Sequence, residues 1–395
     1  MKLGYAAGVR TVVELELKQR LRSKSWYIML AVWFVVIALV TALAAYTASA
    51  SWNGGEADSG TGQLMFELVA GFVLLFGLLV APALSANSIT GDRSGGTLAV
   101  LQNTLLTPGQ ILWGKWVAAW VAALGFLVVT LPMIAWAVSY GDVHLPAVPV
   151  ILLMSAVELG VACAIGVGIS ARSSRPLFAV VSTYLVVALL TVGTLIAFGL
   201  SLRFTQEEIV DYEVVNPKDP YSQLEHDPET GRLLGEDGEP MTPVEETKVY
   251  EELDAEMQNY VYNPEDEICT ERSYERTIVH TERTAWLLAA NPFVVVADAV
   301  PVEPNVYHQG QSSYSPDGPI GAIQVGVRSA QAGYDGPNCV DGERQVGPAE
   351  DPRDLAPMWP LGLGVQALLA GILVFSGRRR LVTPAGKLAA GTRIA

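Results

Sequence analysis

The stretch MFELVAGFVLLFGLLVAPAL, Met65–Leu84, decides the architecture. Its only ionisable side chain is Glu67, and a helix of about 20 apolar residues covers the ~30 Å hydrocarbon core of a bilayer. Working outward, comparable runs occupy Trp26–Ala45, Leu112–Val138, Val148–Ile169 and Leu177–Leu202. A shorter, Gly-rich run, Met358–Phe375, stops against Arg378-Arg379-Arg380. The third run exceeds what a span requires, so tilt or extension beyond the bilayer is expected. The predicted fold class is an all-α polytopic membrane protein with about six transmembrane helices.

Charge is divided unevenly along the chain. Residues 203–358 hold 32 Asp/Glu against 10 Lys/Arg, and the remainder holds 8 against 15, within a net charge of −15. Lys and Arg accumulate on the cytoplasmic side of membrane proteins. Lys2, Arg10, Lys18, Arg20, Arg22 and Lys24 precede the first span, Arg93 and Lys115 separate spans two and three, and Arg172 and Arg175 separate four and five. The tail adds Arg378, Arg379, Arg380, Lys387 and Arg393, whereas connections 46–63 and 139–147 carry no Lys or Arg. Both termini are therefore expected in the cytoplasm of a multi-pass protein of the plasma membrane.

This gives five regions: a cytoplasmic amphipathic helix at 1–25, spans one to five at 26–202, an acidic extracytoplasmic α+β insert at 203–357, span six at 358–376, and a basic tail at 377–395. Ala48-Ser49-Ala50 resembles a signal-peptidase site, but the preceding apolar run is longer than a signal core, and cleavage would leave an odd number of spans. The first run is accordingly read as a retained span. Cys163 lies within the fourth span as a small packing residue. Cys269 and Cys339 are the two cysteines of the outer insert, where an oxidising compartment favours a disulfide.

Residues 5–24 place Val9, Val12, Val13, Leu17 and Leu21 close to one helical face, with Lys18, Arg20, Arg22 and Lys24 available to anionic headgroups. In the connection between spans two and three, Gly95-Gly96 is expected to break the second helix as it leaves the bilayer. Thr97 is placed to N-cap a short helix near 97–106 carrying Leu98, Val100, Leu101 and Leu105, which Thr107-Pro108 ends. An apolar-faced helix in the cytosol, with Asp92 and Arg93 beside it, points to a partner contact.

The order Asp92-Arg93, Gly96-Thr97-Leu98, Leu101, Thr107-Pro108 and Gly114-Lys115 resembles the permeases of type-two ATP-binding-cassette (ABC) exporters. The N-terminal helix and Asn291-Pro292-Phe293 also look like that family, so the resemblance covers about 1–202 and 285–380. It implies a six-span permease whose helix between spans two and three docks on a separate ABC ATP-binding subunit through Asp92, Arg93, Gly96, Thr97, Leu98 and Leu101. It further implies a second permease copy or paralogue, alternating access, and ATP and Mg bound by the partner, with no cofactor in this chain. The departure is the large insert, within which Asp227–Pro240 reads as hairpin, Val244–Val261 as a charged helix, and Ala285–Val300 as an interfacial or re-entrant element. Such an element is tolerated at membrane depth only when buried in protein.

No G-x-x-x-x-G-K-[ST] sequence exists in the chain, so nucleotide phosphates have no P-loop here. There is no H-E-x-x-H or G-x-S-x-G, and His144, His226, His280 and His308 lack ligand spacing. Asp227–Glu239 fails as a calcium loop because Arg232 stands where the turn needs glycine. No catalytic or metal site and no nucleic-acid partner is expected.

Two carboxylates lie within spans, Glu158 in the fourth and Glu67 near the outer start of the second. An intramembrane carboxyl normally faces a cavity or partner. Glu158 is read either as part of a translocation path or as a hydrogen-bonded packing residue beside Ser155, Gly160 and Gly166; Glu67 is read either as part of such a path or as a carboxyl that reaches the headgroup region. The alternative function is a membrane protein without ATP coupling, an ion-coupled carrier using Glu158 or a receptor-like surface protein. Carriers built of inverted repeats show two similar halves, a pattern missing between the five clustered spans and the isolated sixth.

Overall fold

The computed structural model describes residues 4–50, 61–96, 106–141, 143–227, 230–235, 237–257, 260–261, 263, 266–301, 318–334, 336, 339–340, 343–344 and 355–381. Among these residues six helical stretches are long and apolar enough to cross a membrane, as the apolar runs predict. Helix α1 (Tyr5–Arg22) precedes α2 (Lys24–Ala50), the first span, and α3 (Thr61–Ser85) is the second.

The second span stops earlier than the Gly95-Gly96 pair suggests. Ser85 Oγ donates to the Ala81 carbonyl (2.6 Å), residues 86–89 form a turn, and α4 (Thr90–Ser94) follows. The amides of Ile89 and Thr90 both donate to Ser170 Oγ (3.1 Å each), a hydroxyl on the fourth span. That distant acceptor satisfies the groups a broken helix leaves free. The glycine pair ends α4 instead, with Gly96 at φ +77°, a left-handed conformation that suits glycine.

The third span, α5 (Pro108–Val138), has 31 residues, about 46 Å of helix and well beyond the hydrocarbon core. Thr107 and Gln110 form a reciprocal capping box at its start, with Pro108 in the first turn. Helix α6 (Ala147–Arg172) is the fourth span. The fifth is α7 (Pro176–Ala188), a π turn (Leu189–Gly193) and α8 (Thr194–Ser201). Leu177, Phe178, Val181, Leu185 and Leu189 are exposed along it, an apolar face suited to lipid chains.

The core lies among α3, α5 and α6, where Phe66, Phe126 and Ile151 are fully buried. Trp33 of α2 meets Phe76 and Phe126 edge-on at 5.7 and 5.8 Å and donates its indole N–H to the Phe126 carbonyl. Lipid offers little hydrophobic drive between helices, so close approach of small residues carries the packing. A Cβ on Gly168 of α6 would lie 2.8 Å from Leu373, and one on Gly377 would lie 2.7 Å from the Ala171 methyl. Leu373 and Gly377 belong to the sixth span, α13 (Trp359–Leu381), which follows α9 (Pro243–Met257), α10 (Trp286–Ala289), α11 (Pro292–Asp298) and α12 (Pro319–Ala332).

The chain forms two compact units. One contains Leu202–Thr281 with Ala332–Asp351; the other contains the spans together with Glu282–Gln331. The acidic segment read from sequence as one block, 203–357, is thus divided. Glu282–Gln331 leaves it because α10 and α11 bury Leu288, Ala289 and Val294–Asp298 in the helical unit. Burial in protein satisfies the condition on short, Pro-broken helices at membrane depth.

The acidic unit is α+β. Strands β1 (Gln206–Val215) and β2 (Ile268–Val279) pair antiparallel, with Gln206 opposite Val279 and Val215 opposite Ile268. The expected charged helix is α9, started by Thr242, whose amide and hydroxyl both donate to Glu245 (2.8 and 2.6 Å). Two antiparallel bridges, His226 with Leu233 and Leu234 with Pro240, occupy the expected hairpin. Strand β3 (Cys339–Val340) pairs with β4 (Glu343–Arg344). Cys269 and Cys339 are joined, with Cα atoms 6.1 Å apart, so the returning segment is covalently tied to β2. Closing a loop of this length removes about 4 kcal/mol of unfolded-state freedom in the chain-entropy model.

Candidate functional site

The basic end of the helical unit gathers the residues singled out between spans two and three. Asp92 and Arg93 sit on α4, and Gly96 closes it; Thr97, Leu98 and Leu101 lie outside the described residues. Arg93 donates to the carbonyls of Ser173 (2.5 Å) and Ala171 (3.4 Å), and Arg380 donates to Arg172 (2.9 Å). The C-terminus of α6 is thereby supplied with donors for carbonyls that no longer have partners in the helix. Asp92 Oδ2 accepts from Lys115 Nζ at 2.6 Å, and Glu16 Oε1 of α1 accepts from the same ammonium group at 2.5 Å.

Helix α1 docks on the start of α5 through Gly8 and through Val12, a member of the predicted aliphatic stripe. Gly8 and Val12 are buried, whereas Leu21 is exposed. A Cβ on Gly114 would meet Val12 at 2.6 Å, and one on Gly8 would collide with the Gln110 amide. Gln110 Nε2 donates to the carbonyls of Gly4 (3.4 Å) and Tyr5 (3.3 Å), tying the cap of α5 to the first turn of α1. Arg20, expected to face headgroups, turns inward and donates to the Leu84 carbonyl at the end of α3 (2.9 Å). Burial lowers its pKa from the ordinary guanidinium value, and Glu16 opposes that shift.

A second polar cluster lies within the spans. Glu158 is 1% exposed and meets the Gln366 amide of α13, which is fully buried. Among the described residues, Glu158 Oε1 and Gln366 Oε1 meet no hydrogen-bond partner. Gln366 Nε2 donates to the Ala290 carbonyl (3.1 Å), and the next residue, Asn291, donates from Nδ2 to the Thr191 carbonyl (2.7 Å) and Thr194 Oγ1 (2.9 Å). Thr191 lies in the π turn, where the altered ladder leaves a carbonyl available. A line of polar groups therefore joins the fourth, sixth and fifth spans through the α10–α11 corner. Around Glu158, α5 grips α6 by indole donors, Trp116 to Gly160 O (2.9 Å) and Trp120 to Ala156 O (2.8 Å).

Glu67 is not brought to this cluster. Its Oε2 accepts from the amides of Ile320 (2.7 Å) and Gly321 (2.9 Å), and its Oε1 accepts from Gln63 Nε2 (2.7 Å). It thus caps the N-terminus of α12, where free amides and the helix dipole favour a carboxylate. Asp298 does the same for α13, accepting from the amides of Met358 (2.5 Å) and Trp359 (2.9 Å), and it pairs with Arg328 (3.0 Å).

Sequence reasoning missed Gln366, Asn291 as a bridging donor, Asp298 and the two indoles. A lone Gln inside an apolar run was the available signal for Gln366. In the acidic unit, Asp211 is buried beside Arg276 (2.9 Å), which lies over the Tyr334 ring. Among the described residues no His/Cys/Asp/Glu group is arranged to hold a metal ion.

A family model described as ABC-2 family transporter protein matches residues 10–242. The match begins inside α1, runs through the first five spans and the α4–α5 connection, and ends in the acidic unit. No curated protein matches the chain.

Proposed function

Because the chain belongs to the ABC-2 family of transporter proteins, as a permease subunit, we propose that ATP hydrolysed on a separate polypeptide drives it to export its substrate by alternating access. The observation that carries this reading is the family match across the α4–α5 connection, together with the lack of a P-loop anywhere in the chain. ATP and Mg belong to the partner subunit, and two permeases, identical or paralogous, enclose the path between them. The outward direction rests on the resemblance of Asp92-Arg93 through Gly114-Lys115 to exporter permeases.

In this reading the helix beginning near Thr97 enters a groove on the ATPase with Leu98 and Leu101 buried, and Asp92 and Arg93 stand behind it. The basic end faces the cytoplasm, and residues 203–281 lie outside. Glu158, with the Gln366 amide beside it, is the carboxyl of the spans assigned in this reading to the translocation path.

The test is Leu101→Asp. A carboxylate at a buried aliphatic contact loses the apolar burial and adds an unpaired charge. The variant is expected to insert at wild-type level, to lose the co-purifying ATP-binding subunit, and to abolish permease-dependent ATP hydrolysis in proteoliposomes. Unchanged hydrolysis and co-purification would sink the reading of 97–106 as the docking helix.

A further inference from the structure

We propose that Lys115 is a positioning residue whose buried ammonium group holds the N-terminal helix and the start of the α4–α5 connection to the third span as one mechanical body. The mechanical meaning rests on the reading of that connection as the ATPase-facing one; the geometry stands without it.

Lys115 lies on the second turn of α5 with its side chain 2% exposed. Its Nζ meets Glu16 of α1 at 2.5 Å and Asp92 of α4 at 2.6 Å. These carboxylates come from separate elements, and the ammonium group is what lies between them. An ammonium is a compact charge with three rotatable donors, so it serves acids arriving from different helices, whereas a planar guanidinium favours one bidentate partner.

The surrounding contacts show that the seat is built for closeness. Gly114, the neighbouring residue, lets α5 approach Val12 of α1, and Gln110 one turn earlier binds the first carbonyls of α1. On the other side, Arg93 ties α4 to the end of α6. A push that displaces α4 therefore reaches α1 through Lys115, and a push on α1 reaches α4 by the same group.

The charges make an asymmetric prediction. Removing Lys115 leaves two carboxylates facing each other, so both elements are released. Removing one acid leaves a neutral pair, so only the element that carried that acid is released.

Amide hydrogen exchange on the full chain in lipid nanodiscs reads this directly. Lys115→Met is expected to accelerate exchange at least tenfold in both 5–22 and 90–96. Glu16→Gln should accelerate only 5–22, and Asp92→Asn only 90–96. Wild-type rates in both segments of Lys115→Met would overturn the proposal, as would either single acid variant loosening both segments. Should Lys115→Met fail to insert, the two carboxamide variants decide the matter.

A second arm uses the ATP-binding subunit that co-purifies with the permease, trapped with ATP and vanadate. Trapping should change exchange in α1 and α4 together in the wild type, whereas in Asp92→Asn the α4 change should persist and the α1 change disappear. An α1 that still responds in Asp92→Asn overturns transmission through Lys115. Failure of any ATP-binding subunit to co-purify with the wild type would count against the proposed function and leave the exchange pattern standing as the test of the latch.

Discussion

Lys115 and Glu158 are almost equally hidden, at 2% and 1% exposure, yet their surroundings are opposite. The lysine has an anion on each side at hydrogen-bond distance. Among the described residues Glu158 meets no cation, and one of its oxygens and the facing Gln366 oxygen meet no donor. Buried charge is costly unless paired, and a half-satisfied buried polar group is costlier than a paired one. The two clusters differ in what holds them, charge balance in one and hydrogen bonds between neutral partners in the other. The matched cluster joins elements and resists separation. The Glu158 cluster is held by hydrogen bonding alone, through the Gln366 amide that also binds the Ala290 carbonyl.

The comparison is most exposed to attack at the lysine. Breaking a buried ion pair by removing one partner typically costs about 3–5 kcal/mol, because the other charge is left uncompensated. Thermal unfolding of Lys115→Met in nanodiscs should show a loss of that order. Neutralising all three groups together, Lys115→Met with Glu16→Gln and Asp92→Asn, should recover most of it. A triple variant as unstable as the single one would mean that the cluster is not governed by charge balance.

A smaller effect is expected from Gln366→Leu. It removes the donor to the Ala290 carbonyl and the neighbour of Glu158, and an unsatisfied buried group costs about 1–3 kcal/mol. Faster hydrogen exchange in 286–298 should accompany the lower unfolding temperature. An unaltered exchange rate there would show that Gln366 does not hold the α10–α11 corner.

The smallest loss of stability is expected from Glu158→Gln, which keeps size and hydrogen-bonding capacity and supplies a donor for the Gln366 oxygen. Unfolding should fall within about 1 kcal/mol of wild type. A loss as large as that of Lys115→Met would mean that Glu158 has a cationic partner in the membrane, and the contrast between the two clusters would collapse.

Much of the architecture was legible because hydropathy is a local property. Each of the six spans is announced by its own run of about 20 residues, and Thr107-Pro108 with Gln110 announces the start of the third. The candidate site was legible only in part. Asp92 and Arg93 stood out beside the glycine pair, but nothing nearby indicated that one would bind Lys115 and the other the end of the fourth span. Glu67 was visible as an unusual carboxyl, and its role as a cap depends on a helix 253 residues further along. The stripe Val9, Val12, Val13, Leu17 and Leu21 suggested a face for α1, and Val12 makes one of its closest contacts; Gly8, the other, was not announced, because close packing selects small residues that carry no hydrophobic signal.

Local composition was enough to establish which segments are long and apolar enough to cross a membrane, which ends are basic, where the acidity is concentrated and which two cysteines were available to each other. These follow from transfer free energies and charge, which sum over neighbouring residues without regard to fold. Tertiary structure alone decided that the second span breaks at 86–89, that Glu282–Gln331 joins the spans rather than the acidic unit, and that Lys115 answers to acids on two other helices. Each of these depends on a polar group finding its partner across the fold. Hydrogen bonds and ion pairs act over about 3 Å, so they are specified by which helices come together and not by what stands next to them in the chain.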